Sequence, residues 1–222
     1  MNARKIRLLL WAGCLGAIVL FAGDMLYYGA WGSGRASLSI DLWDSIVAGV
    51  PLWRHHLGSI TGPVGIGFEL LGWLGLWFSC RRAAPRLATV MLAFFYIFGL
   101  FSILQHGIFG PMGFAIKYCG PKSNLVAEIW KLNDLLGKPQ VVGWAVGNVI
   151  WIFLTLKKEA SVPRWTVFSS TLITVWLERV AVYIPAPLGM PLVGGWSNVV
   201  QAIWFAVLAL AYDESEIESR IA

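Results

Sequence analysis

Four charged residues, Asp24, Glu69, Glu178 and Arg179, stand inside stretches that are otherwise apolar: FAGDMLYY, GIGFELLGW and WLERVAVYI. Apolar surroundings favour the neutral form of a carboxyl, and a neutral acid can donate a proton. Protonation of an alkene or epoxide is a reaction such a group serves. Tryptophans such as Trp73 and Trp176 can then stabilise the carbocation by cation–π attraction. No cofactor is required. His106, in LQHGIF, adds a side chain that exchanges protons near neutral pH. Asn148, Asn198 and Gln201 add amides that orient a substrate or tie helices together.

Neighbours on a helix point about 100° apart, so Glu178 and Arg179 cannot neutralise each other face to face, and each needs a partner on another helix. Glu178 is expected to look into a cavity. Arg179 is expected to reach Asp24 or Glu69, or to snorkel outward to headgroups. The candidate catalytic residues are Glu69, Glu178 and Asp24; the candidate substrate-binding residues are Arg179, His106, Asn148, Asn198, Gln201, Trp73 and Trp176.

Such residues need elements that hide them from lipid. Of the 222 residues, 58% are hydrophobic and 13% charged, against roughly 25% charged in a soluble domain. Roughly 20 apolar residues cross a bilayer core of about 30 Å as a helix. Stretches at about 8–30, 60–80, 87–109, 140–156, 165–185 and 193–212 qualify, which predicts an all-α bundle of six transmembrane helices in a single membrane domain. A central Asp, Lys or Arg turned to lipid costs roughly 2.5–3.5 kcal/mol. Four would cost on the order of 10 kcal/mol, comparable with the stability of a whole domain, so these groups are expected to face inward. At about 1.5 Å per residue, the polar groups of the spans lie between the midplane and the outer interface.

Lys and Arg in short loops set the direction. Arg4, Lys5, Arg7, the RRAAPR loop and KKEASVPR share one side, while the uncharged PAPLGMP loop takes the other. Both termini are therefore expected in the cytoplasm, in a multi-pass protein of the cell membrane. LLLWAG before Cys14 is too short for a signal core of roughly 7–15 residues, so the first helix is read as uncleaved. Two outer segments read as short amphipathic helices. Residues 38–50 align Trp43, Ile46, Val47 and Val50 before Pro51; residues 124–136 align Leu125, Ile129, Leu132 and Leu136, with Asn124 as cap and Gly137 as stop. Small residues, notably Gly65 and Gly72 in span two and Gly143 and Gly147 in span four, are expected where helices approach closely. Trp31, Trp43, Trp53, Trp165 and Trp196 fall near span boundaries, as in an aromatic belt.

Other classes find no support. The net charge of +5 sits in short clusters between apolar runs, with no stripe or motif for nucleic acid. Cys14, Cys80 and Cys119 are scattered, without the spacing of a disulfide framework or zinc site. His55 and His56 lack an acidic or cysteine partner at ligand spacing, so no metal is expected.

GFELLGW with Glu69 resembles the second span of small integral-membrane terpene cyclases, which carry a Glu among apolar residues and Trp. The resemblance covers that span and the general size. It implies an acid-catalysed cyclase or isomerase of a lipophilic, isoprenoid-like substrate. Those enzymes pair the Glu with an acid in the last span, where this chain has Asn198 and Gln201. The residues themselves leave two further functions open. One is a proton-coupled small-molecule transporter or binding protein with Glu69, Asp24 and Glu178 as proton carriers or counter-ions; the other is an accessory subunit whose polar groups only fasten helices. Membrane lipids and a lipophilic small molecule are the expected partners.

Overall fold

The structure, a computed structural model, describes residues 2–35 and 40–213, with the backbone alone at Tyr28 and 40–43. The regular elements among the described residues are all helical. They begin with α1 (Ala3–Tyr28), α2 (Ile40–Gly49), α3 (Leu52–Cys80), α4 (Pro85–Cys119) and α5 (Asn124–Leu156). Of these, α1, α3, α4 and α5 are long and apolar enough to cross a membrane. A 3-10 turn (Arg164–Ser169), α6 (Thr171–Thr174), a second 3-10 turn (Val175–Leu177), α7 (Glu178–Ala181) and α8 (Gly189–Gly194) lead to α9 (Trp196–Ala211). Helix α9 is apolar but 16 residues long, about 24 Å at 1.5 Å per residue.

Helix α1 lies between α3 and α9, α3 continues to α4, and α4 packs on α5; the Arg164–Ser169 turn bridges α5 and α9. Large apolar side chains such as Leu8, Ile18, Leu100, Leu104, Val149 and Phe153 face outward, as lipid-facing helices require. The α1–α3 seam is made of small residues. A Cβ on Gly16 would stand 2.7 Å from the Glu69 amide nitrogen, and one on Gly65 would stand 2.7 Å from the Gly16 carbonyl oxygen. The expected close approach in span four is also found: a Cβ on Gly143 would lie 2.7 Å from the Phe98 nitrogen of α4.

Three expectations change. The residues predicted as one continuous span, 165–185, form short helical pieces. Ser170 breaks the run with extended backbone and restarts it by accepting from the Leu172 amide, and the β-branched residues that follow are weak helix formers. The predicted outer helix 124–136 is instead the first half of α5, which continues through Pro139 and passes Gly137 without stopping. Its cap is Ser123 rather than Asn124, and its buried face carries Val126 and Asn133 while Leu125 and Leu132 are exposed. His55 and His56, predicted in a polar junction, belong to the first two turns of α3.

The start of the predicted 38–50 helix lies outside the described residues, as does the Trp43 side chain. The remainder is α2, which buries Val47 and Val50. Its end is tied by Lys117, which donates to the Val50 carbonyl at 3.0 Å. Two cores result. The larger, toward the end of the bundle carrying the N terminus, centres on Trp73, Phe95, Trp151, Trp204 and Phe205. The smaller, at the distal end, joins Tyr27, Val47, Met112, Ala115, Ile116 and Val126. Arg54 fixes the distal end of α1 by donating to the carbonyls of Leu26 and Met25, each at 2.7 Å, and of Gly29 at 3.2 Å. A cation there meets the negative end of the helix dipole.

Candidate functional site

Two acids on adjacent helices meet two amides one turn apart on α9. Asn198 and Gln201, three residues apart, present the same helix face. Asn198 donates to Asp24 Oδ2 at 2.7 Å, and Gln201 donates to Glu69 Oε2 at 2.7 Å. All four residues are buried. The close α1–α3 contact at Gly16 and Gly65 brings the two acids onto neighbouring backbones.

His106 joins the cluster from α4. Its Nε2 lies 3.4 Å from Asp24 Oδ1, and its Nδ1 lies 2.9 Å from the Ser102 carbonyl oxygen. A carbonyl only accepts, so Nδ1 carries a hydrogen. The contact between Nε2 and Oδ1 then needs one proton between two lone pairs, supplied by imidazolium or by carboxylic acid. The ring reaches across because Gly62 of α3 leaves room; a Cβ there would stand 2.7 Å from the ring carbon Cδ2. Ser102 Oγ also receives a hydrogen bond from Gln140 of α5 at 2.7 Å. The polar chain therefore runs Gln140, Ser102, His106, Asp24, Asn198.

Glu69 differs from Asp24 in one respect. Its Oε1 is buried and has no hydrogen-bond partner, a condition that natural structures tend to avoid unless a ligand or function uses it. Gln201, which holds its other oxygen, is also part of the wall of a cleft of ≈ 220 Å³ lined by Phe98, Gln140, Trp144, Thr171, Ser197 and neighbouring valines. Glu69 thus stands one side chain behind that wall. On its other side, one turn along α3 and α9, the way is filled by Trp73 and Trp204, both fully buried.

The sequence-predicted residues divide clearly. Asp24, Glu69, Asn198, Gln201 and His106 converge. Trp73 belongs to the packed aromatic core, stacked on Phe95 at 5.6 Å. Asn148 is buried elsewhere: its Oδ1 accepts from Ser170 at 2.9 Å and Thr171 at 3.2 Å, and its Nδ2 donates to the Trp144 carbonyl at 2.9 Å. It secures the broken segment rather than the acids. Glu178, Arg179 and Trp176 are exposed. Glu178 does not look into the cluster, and Arg179 lies over the Trp176 ring, 5.1 Å from its centroid. These two charges need no buried partners because the broken segment places them on the surface. Gln140 and Ser102 were missed; Ser102 precedes His106 by one helical turn, the only pattern that pointed to it.

Fold and cluster define an all-helical protein with four helices able to cross a membrane and a buried acid–amide–histidine network at their distal half. The chain belongs to a family of unknown function, DUF6796, whose profile matches residues 1–215. No curated protein and no solved structure matches it.

Proposed function

We propose that the chain is an integral protein of the cell membrane that binds a lipophilic small molecule and acts on it by acid catalysis, as a cofactor-independent cyclase or isomerase of an isoprenoid-like compound. In this reading the broken 164–181 segment and α9 complete six membrane crossings, with both termini in the cytoplasm and with the exposed Glu178 and Arg179, near the distal end of the segment, reaching the headgroups rather than the acyl chains. Glu69 is the proton donor. The substrate enters the cleft between α4, α5 and α9, and rotation of the Gln201 side chain admits its reacting carbon to the carboxyl. The observation that carries the reading is the unpartnered Oε1 of Glu69 behind a cleft-lining amide. The cleft, ≈ 220 Å³, lies just under the range of roughly 300–1,000 Å³ common for ligand pockets, which suits a small lipophile or the end of a longer one. Loss of a proton from the carbocation back to the Glu69 carboxylate closes the cycle, forming the product alkene and restoring the acid.

The test is incubation of the purified protein with membrane lipid extracts and mass analysis of new isomers. Glu69→Gln keeps the shape and the hydrogen bond to Gln201 but cannot donate an acid proton. Product from the native protein and none from this folded variant supports the reading; equal product from both removes Glu69 from the chemistry. Proton-coupled transport gains from the His106–Asp24 pair, but the buried Trp73, Trp151, Trp204 and Phe205 below the acids leave passage dependent on a large rearrangement.

A further inference from the structure

A second pocket, ≈ 280 Å³, opens at the distal end between α1, α2, α4 and α5, with Tyr27, Phe109, Trp130, Met112 and Val47 in its wall and Asp44 of α2 among them. It is separate from the acid–amide cluster and independent of the function proposed for that cluster. Phe109 stacks on Tyr27 at 5.2 Å, and Trp130, 41% exposed, stands at the mouth. Among the described residues of the lining, Asp44 is the one that carries a charge. Among the described residues it has no hydrogen bond or ion pair.

One unpaired carboxylate beside three aromatic rings selects by charge, because ring faces attract cations and the acid repels anions. The number of donors and acceptors selects further. A calcium ion takes 6–8 oxygen ligands, and a primary ammonium presents three hydrogens that need acceptors; a single carboxylate among apolar walls serves neither well. A quaternary or heavily alkylated ammonium asks for no hydrogen bonds and gains from aromatic and thioether surfaces. We propose that this pocket binds a quaternary ammonium group, with Asp44 as counter-ion and Tyr27, Phe109 and Trp130 as its aromatic walls.

The experiment is calorimetric titration of the full chain in maltoside micelles with tetramethylammonium and choline, against the uncharged choline isostere 3,3-dimethylbutan-1-ol. The cations should bind saturably and at least about tenfold tighter than the isostere. Asp44→Asn should remove that preference at unchanged melting temperature, and Trp130→Leu should weaken the cations by about fivefold. If Trp130→Leu does not fold, Trp130→Phe keeps the ring and should retain most of the affinity. Equal binding of cation and isostere, undiminished binding in Asp44→Asn, or no saturable binding of either cation overturns the proposal. The cation has two sources. Competition by phosphatidylcholine nanodiscs but not phosphatidylglycerol nanodiscs identifies a lipid headgroup; no competition by either identifies a free ammonium, and both outcomes uphold the ammonium chemistry.

Discussion

Replacing Gln201 by leucine isolates the energetics of the cluster. Gln201 Nε2, at 2.7 Å, provides the hydrogen bond to Glu69 Oε2, and Oε1 has no partner. Leucine fills nearly the same volume, so the variant opens little cavity but leaves a carboxyl with both oxygens unpaired at 1% exposure. Stranding a buried polar group costs about 1–3 kcal/mol, while interhelical hydrogen bonds within membranes contribute about 0.6–1.7 kcal/mol. The expected loss is about 2 kcal/mol, or a fall of about 4–8 °C in melting temperature for a chain of this size. Glu69→Leu should cost less, because the amide it strands borders the cleft and can turn toward it. In the double variant both polar groups are gone, and replacing a buried pair by apolar residues is close to neutral. Thermal melting of the four proteins in micelles completes a double-mutant cycle. A coupling of about 1–2 kcal/mol is expected; a double variant that loses the sum of the two single losses would refute the idea that these side chains satisfy each other.

Two further perturbations test the framework. Gly16→Val places a branched side chain where a Cβ would already stand 2.7 Å from the Glu69 amide nitrogen and 2.9 Å from Phe68 Cβ; α1 and α3 must part, with a loss of about 1–3 kcal/mol or more by overpacking, read as a lower melting temperature and reduced yield. Glu178→Gln and Arg179→Gln remove exposed charges and should each change stability by less than about 0.5 kcal/mol, so a drop of several degrees in either would place them in a buried network after all.

The helical class and the four long helices were legible because hydropathy over 20-residue windows reports the solvent around a helix. The pairing of Asp24 and Glu69 with α9 was legible in part, since the cost of showing acids to lipid demands that they turn inward. That argument assumes each acid lies on a continuous span. It failed at Glu178 because Ser170 interrupts the segment, and a Ser in an apolar run carries no sign of whether its hydroxyl back-bonds to the helix or, as here, donates to Asn148 Oδ1 at 2.9 Å. Composition also concealed the continuity of α5. Asn124 and Gly137 read as a cap and a stop, yet packing against α4 carries the helix past both and through Pro139. Gln140 gave no signal of its own, because its role depends on Ser102 of a different helix.

The arrangement of polar and aromatic layers determines from which side the acids can be reached. Asp24, Glu69, Asn198 and Gln201 form one layer; a turn further toward the N-terminal end, Trp73, Trp151, Trp204, Phe95 and Phe205 form another in which every side chain is 0–1% exposed. The indole N–H groups of Trp73, Trp151 and Trp204 have no partners there. Burying them without a protein partner costs free energy that edge and stacked contacts, about 0.5–1.5 kcal/mol per pair, help offset. The rings of this layer pack with centroids 5.2–6.4 Å apart, from Trp151 on Trp204 at 5.2 Å to Trp73 on Phe205 at 6.4 Å, and so fill the bundle below the acids. In the proposed function a proton or ligand would therefore reach the acids from the distal half, through the Gln201 wall of the lateral cleft or past Phe109, whose ring meets that of His106 at 5.1 Å. This one-sided access fits a binding or catalytic pocket open to lipid better than a path across the bundle.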